Sequence, residues 1–116
     1  MKFSFESSPG GRLLCRVEDA DGAHLIASSE AAPAQAELMA AIQDLDTSPT
    51  SECYWQDDAC GYRWLFRRQG ETLKLAILRI TGVCPGYQHV AWTEEDAARL
   101  LGALRAALNQ VSQPCS

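Results

Sequence analysis

Residues 62–80 read YRWLFRRQGETLKLAILRI, two runs of alternating apolar and polar side chains on either side of Gln69-Gly70. A period of two sends successive side chains to opposite faces of a strand, and a Gly-containing pair between two such runs is a hairpin signal. With Gln69-Gly70 as a two-residue loop, Phe66 faces Leu73, Trp64 faces Leu75 and Tyr62 faces Ile77, all on one side. The other side sets Arg63, Leu65 and Arg67 against Ala76, Lys74 and Thr72 and reads as mainly solvated. The stretch commits the second half of the chain to antiparallel sheet with an aromatic and aliphatic inner face.

Upstream lies CYWQDDACGYRW (53–64), a short strand over 53–56 and a turn at Asp57-Asp58 leading into the hairpin. Downstream, TGVCPGYQHV (81–90) reads as a loop. Thr93 then opens TEED, a capping-box pattern, before an apolar stripe of Ala97, Leu100, Leu101, Leu104, Leu108 and Val111 at helical spacing.

The first half repeats the plan. Phe3 and Phe5 alternate in a strand that ends at the turn PGG (9–11), and Leu13, Cys15 and Val17 share a face of the next run. Asp21-Gly22 reads as a two-residue hairpin loop, which pairs Val17 with Ile26 and Cys15 with Ser28. In SSEAAPAQAELMAAIQDLD, Ser28 or Ser29 can cap, Pro33 sits in the first turn, and Leu38, Ile42 and Leu45 form the apolar stripe of a helix. TSPTS (47–51) reads as a linker. The expected fold is α+β: a single domain over 1–116, built from two successive strand-strand-strand-helix units (2–46 and 52–112) whose two amphipathic helices pack on one face of antiparallel sheet.

Within residues 2–45, Phe3, Gly11, Asp19, Gly22, Ile26, Ser29, Glu30 and Ile42 stand where the YegP-like family of small bacterial domains has a strand, a Gly-containing turn, a D-x-x-G turn, a strand ending I-x-x-S-E, and a late helix isoleucine. The first unit thus resembles that family. The resemblance implies the tandem strand and helix arrangement, and it carries no catalytic motif and no activity.

With 116 residues, 47% hydrophobic and 22% charged, the chain is long enough to bury a core without disulfides or metal. Lys2 in MKFSFESSPGG is not followed by an apolar run, and no window of about 18 apolar residues occurs, which predicts a cytoplasmic protein with no membrane contact. Its five cysteines are then expected as reduced thiols, mostly small core residues. The net charge of −5 lies wholly in residues 1–50, which hold three Lys and Arg against eight Asp and Glu, while residues 51–116 hold seven of each. Such a balance disfavours nucleic acid, whose binding rests on basic side chains, and favours a basic protein as partner.

Chemistry is sparse. Cys53 and Cys60 lack the short paired spacing of structural zinc, so no metal and no cofactor is expected. Cys84 and His89 share a loop and are the one thiol and imidazole pair that could support an enzyme or small-molecule site, but no third group completes it. No P-loop, G-x-G-x-x-G, H-E-x-x-H or G-x-S-x-G occurs. No catalytic residue is assigned. The best contact surface is the aromatic and acidic turn, with Trp55, Asp57, Asp58 and Arg63 joined by Asp19 and Asp21 of the acidic half. The expected function is a non-enzymatic acidic protein-binding module, for example an immunity-type protein neutralising a basic toxin; one alternative is a small-molecule-binding protein or small enzyme using Cys84 and His89, and another is a secretion-chaperone-like or regulatory adaptor. The wide stripe of the second helix also allows a homodimer.

Overall fold

The computed structural model describes residues 1–8, 10–58, 60–81 and 87–112, with the side chains of Tyr87 and Ser112 left aside. Alternating runs form β1 (Lys2–Ser7), β2 (Leu13–Asp19) and β3 (Gly22–Ser28), followed by α1 (Ala31–Asp44). The second half forms β4 (Thr50–Gln56), β5 (Cys60–Gln69), β6 (Thr72–Thr81) and β7 (Tyr87–Asp96), then α2 (Ala97–Ser112). The architecture is α+β, with two antiparallel sheets of order β1-β2-β3 and β4-β5-β6-β7. Neither helix is long and apolar enough to cross a membrane among the described residues.

Both hairpin registers differ from the expected ones by two residues. Asp19 pairs with Gly22, so the first loop is Ala20-Asp21, and Cys15 stands opposite Ile26, Val17 opposite His24. The cause is local: the Asp19 carboxylate accepts from the Asp21 amide at 2.9 Å, and Gly22, at φ 133, takes the strand position after the turn. In the second hairpin Gln69 pairs with Thr72 around Gly70-Glu71, with Gly70 at φ 61, so Phe66 faces Leu75, Trp64 faces Ile77 and Tyr62 faces Arg79. A slip of two preserves the facing of every side chain, because sheet side chains alternate with period two. Trp64, Phe66, Leu73, Leu75 and Ile77 are accordingly buried.

Further corrections concern the helix starts and the last strand. Glu30, without a side-chain cap bond, is the N-cap of α1. Ser28, 4% exposed, instead accepts from the Glu30 amide and lies within reach of the Gln56 carbonyl at 3.3 Å. The segment read as loop and capping box holds β7, so the second unit has four strands. Thr93 lies in that strand opposite Leu75, and α2 is capped by Asp96, whose carboxylate accepts from the Arg99 amide at 3.0 Å. The expected linker is shorter, since β4 already begins at Thr50.

The core draws on both halves of the chain. Phe3 stacks on Trp64 and Phe5 meets Trp55 edge-on, each at 6.2 Å between ring centroids, and Trp55 lies 5.1 Å from Trp64. Leu38 and Ile42 of α1 and Leu100, Leu104 and Leu108 of α2 belong to the same buried cluster. Two further contacts tie the sheets: the Ser29 amide donates to the Gln56 carbonyl at 2.8 Å, and the Arg12 guanidinium pairs with the Asp57 carboxylate at 2.9 Å.

Candidate functional site

The residues of the expected contact patch do not come together. Trp55 is 1% exposed, because pairing Trp55 with Tyr62 and Cys53 with Trp64 puts it on the inner face, where its indole Nε1 donates to the Ala34 carbonyl of α1 at 3.2 Å. Its neighbour Tyr54 takes the outward position. Asp57 is occupied by Arg12, while Asp58 is exposed. Arg63 is exposed on the outer face opposite Tyr54. Asp21 is exposed at the first hairpin loop, and the Asp19 carboxylate is nearly enclosed, with its side chain 5% exposed.

The cysteine readings resolve in part. Cys60 stands opposite Asp57, which lies just past β4 and four residues along the chain from Cys53, so the two thiols do not converge. Both are buried free cysteines, as is Cys15. Burial pushes the Cys53 thiol up to about 12, helped by the carboxylates of Glu37 and Glu52, and burial pushes Cys15 higher still. Such thiols are poor nucleophiles at neutral pH. Burial and the neighbouring Cys60 thiol also push the Tyr62 phenol up, partly offset by Arg79 across the strand. Cys84 lies outside the described residues, and His89 is an exposed residue of β7 opposite Leu78. Among the described residues no group of three or more His, Cys, Asp and Glu is arranged to hold a metal.

The outward face of the four-stranded sheet presents a different constellation, centred on Trp92. Trp92 is 51% exposed, Tyr54 38%. Trp92 lies opposite Ala76, whose methyl leaves space beside the indole, and a groove of about 360 Å³ runs from it past Leu65 to Thr50 and Glu52, edged by Arg67 and Lys74. On the other side of the same indole a wider groove of about 660 Å³ is lined by Glu18, Asp19, Glu94 and Glu95, with Lys2 and Met1. One aromatic side chain thus divides an apolar groove from an acidic one.

Asp19 fixes this junction. Its carboxylate accepts from the Asp21 amide at 2.9 Å, lies 3.2 Å from the His24 ring, and meets the Trp92 amide at 3.4 Å. Burial draws its pKa upward, but these three partners outweigh burial and hold it below the usual carboxylate range. Lys74 and Glu94 pair across β6 and β7 at 3.4 Å beside the indole. Trp92 was legible as an aromatic, but not as a surface one, because its position follows from β7. The available signal was the alternation of Val90, Trp92 and Glu94 with Ala91 and Thr93.

Comparison with protein-family models, with curated proteins and with solved structures finds no match.

Proposed function

We propose that this chain is a non-enzymatic module that binds a basic protein partner, with Trp92 as the anchor and the Glu18, Glu94 and Glu95 carboxylates beside it as the recognition surface, while the enclosed Asp19 holds the junction. The observation that carries this reading is the half-exposed Trp92 indole lying between an apolar groove and a groove lined by Glu18, Asp19, Glu94 and Glu95. Aromatic side chains anchor protein interfaces, and an indole face flanked by carboxylates suits a Lys or Arg side chain. The overall charge of −5 adds long-range attraction for such a partner. An immunity-type protein that neutralises a basic toxin in the cytoplasm has this size and charge, and a regulatory adaptor would use the same surface.

The test is affinity capture from the native cell with the wild-type chain and Trp92→Ala side by side. A partner of basic composition, retained by the wild type and lost by the variant, supports the reading. An acidic partner, or equal retention by both chains, overturns it.

A further inference from the structure

We propose that the open edge of β4 is a second docking surface, which takes an extended basic segment of a partner protein as an added strand. In an antiparallel ladder, alternate residues turn both backbone groups toward the neighbouring strand and the residues between them turn both away. The Asp57 amide donates to the Cys60 carbonyl at 2.8 Å and the Arg68 amide to the Pro49 carbonyl at 2.6 Å, which sets the parity: Ser51, Cys53 and Trp55 face β5, and Thr50, Glu52, Tyr54 and Gln56 face outward.

Both ends of that outward row are closed. The Gln56 carbonyl accepts from the Ser29 amide at 2.8 Å, and the Ser48 hydroxyl donates to the Thr50 carbonyl at 2.9 Å. Between these ends the amides and carbonyls of Glu52 and Tyr54 have no partner among the described residues. Unpaired groups on a strand edge are a template for a further strand, a recurrent mode of peptide recognition.

The surroundings of the edge specify what fits. The Ser51 hydroxyl donates to the Ala41 carbonyl at 2.7 Å and holds α1 alongside β4. Ala40 and Ala41 are too short to fill the space between them, and a groove of about 390 Å³ remains, walled by Glu37 and Asp44 on one side and Glu52, Tyr54 and Arg63 on the other. A neighbouring recess of about 300 Å³ shares Glu37 and Tyr54 and adds Glu30. Glu37 and Asp44 are seven residues apart, which places them on one side of α1 about 10.5 Å from each other, and the N-cap residue Glu30 precedes them at the start of the helix. Four carboxylates therefore line these two recesses, with Arg63 as the one cation among their described lining residues. Joining two β4 edges about a two-fold axis would set Glu52 and the α1 carboxylates against their own images, a repulsive contact. A basic segment meets complementary charge instead.

The probe is a synthetic peptide of four Lys-Thr repeats, titrated into the isotopically labelled full chain while amide exchange is followed by NMR. At saturation, exchange of the Glu52 and Tyr54 amides slows by about tenfold or more, as for groups entering a ladder. A Glu-Thr peptide of equal length, and a Lys-Thr peptide N-methylated at alternate residues, leave both amides unchanged. The double variant Glu37→Gln/Asp44→Asn weakens the Lys-Thr peptide by roughly tenfold. Binding without slowing at Glu52 and Tyr54, equal binding of the acidic peptide, or protection that rises with protein concentration alone overturns the proposal. The Trp92 reading is judged separately, by its own variant.

Discussion

The Trp92 amide lies 3.4 Å from the Asp19 carboxylate, so the first hairpin loop of the three-stranded sheet meets the outer strand of the four-stranded one. A single side chain thus links the acidic first half of the chain to the exposed indole of the second.

That contact makes acid stability a readout of Asp19. Its folded pKa is held below the unfolded value, so its contribution is fully present above the unfolded pKa and is lost as pH falls through the folded one. Below about pH 4 the wild type is expected to lose stability that Asp19→Asn never had, so the two unfolding midpoints converge in acid and separate near neutrality. Urea midpoints measured from pH 2 to pH 7 check this; a constant gap across the range would contradict it.

The two kinds of tryptophan should separate in stability. Trp64 is fully buried, and Trp64→Ala is expected to cost about 3–5 kcal/mol, whereas Trp92→Ala, from a half-exposed site, should stay within about 1 kcal/mol. Trp64 Nε1 is also buried without a hydrogen-bond partner among the described residues, so Trp64→Phe removes an unsatisfied donor and should cost less than about 2 kcal/mol. Denaturant titrations of the three variants give the order directly.

Gly61 is expected to reject a side chain. The Tyr54 ring lies over its Cα, where an added methyl group would overlap the ring and its hydroxyl. Gly61→Ala should therefore cost about 1–3 kcal/mol. Combining it with Tyr54→Ala should recover much of the loss, which a double-mutant cycle measures.

Cys15 and Cys53 should resist alkylation at neutral pH in the folded chain and react only on unfolding, as burial keeps both thiols protonated. Peptide mapping after timed treatment with iodoacetamide reports each cysteine separately. Selective rapid labelling of Cys84 would instead favour the enzymatic alternative.

The inner face of the sheet was legible because parity survives errors of register. Asp21-Gly22 and Gln69-Gly70 are each one position from the loop that forms, yet Trp64, Phe66 and Leu75 remain on the buried side. The partition of Tyr54 and Trp55 was not legible, since it depends on which β5 residues they oppose, and that pairing lies across the Asp57-Asp58 turn, whose composition does not fix its length. The β7 strand was missed for a related reason. Thr93, Glu94, Glu95 and Asp96 make as good a helix start as a strand end, and the choice is settled by β6, whose second edge β7 covers and whose Lys74 meets Glu94. Only Asp96 keeps a capping role. The candidate surface was legible as charge and aromatic content, while its location followed from these non-local pairings.

The stacking of Phe3 on Trp64 and of Phe5 against Trp55 has a consequence during synthesis. The first three strands leave the ribosome well before most of the side chains that cover them, since Trp55 arrives with β4, Trp64 with β5, and α2, which packs on β1, last of all. A chain halted after α1 should therefore remain protease-sensitive and chaperone-dependent, and protection should arrive in one step once Trp64 and the strands beyond it are available.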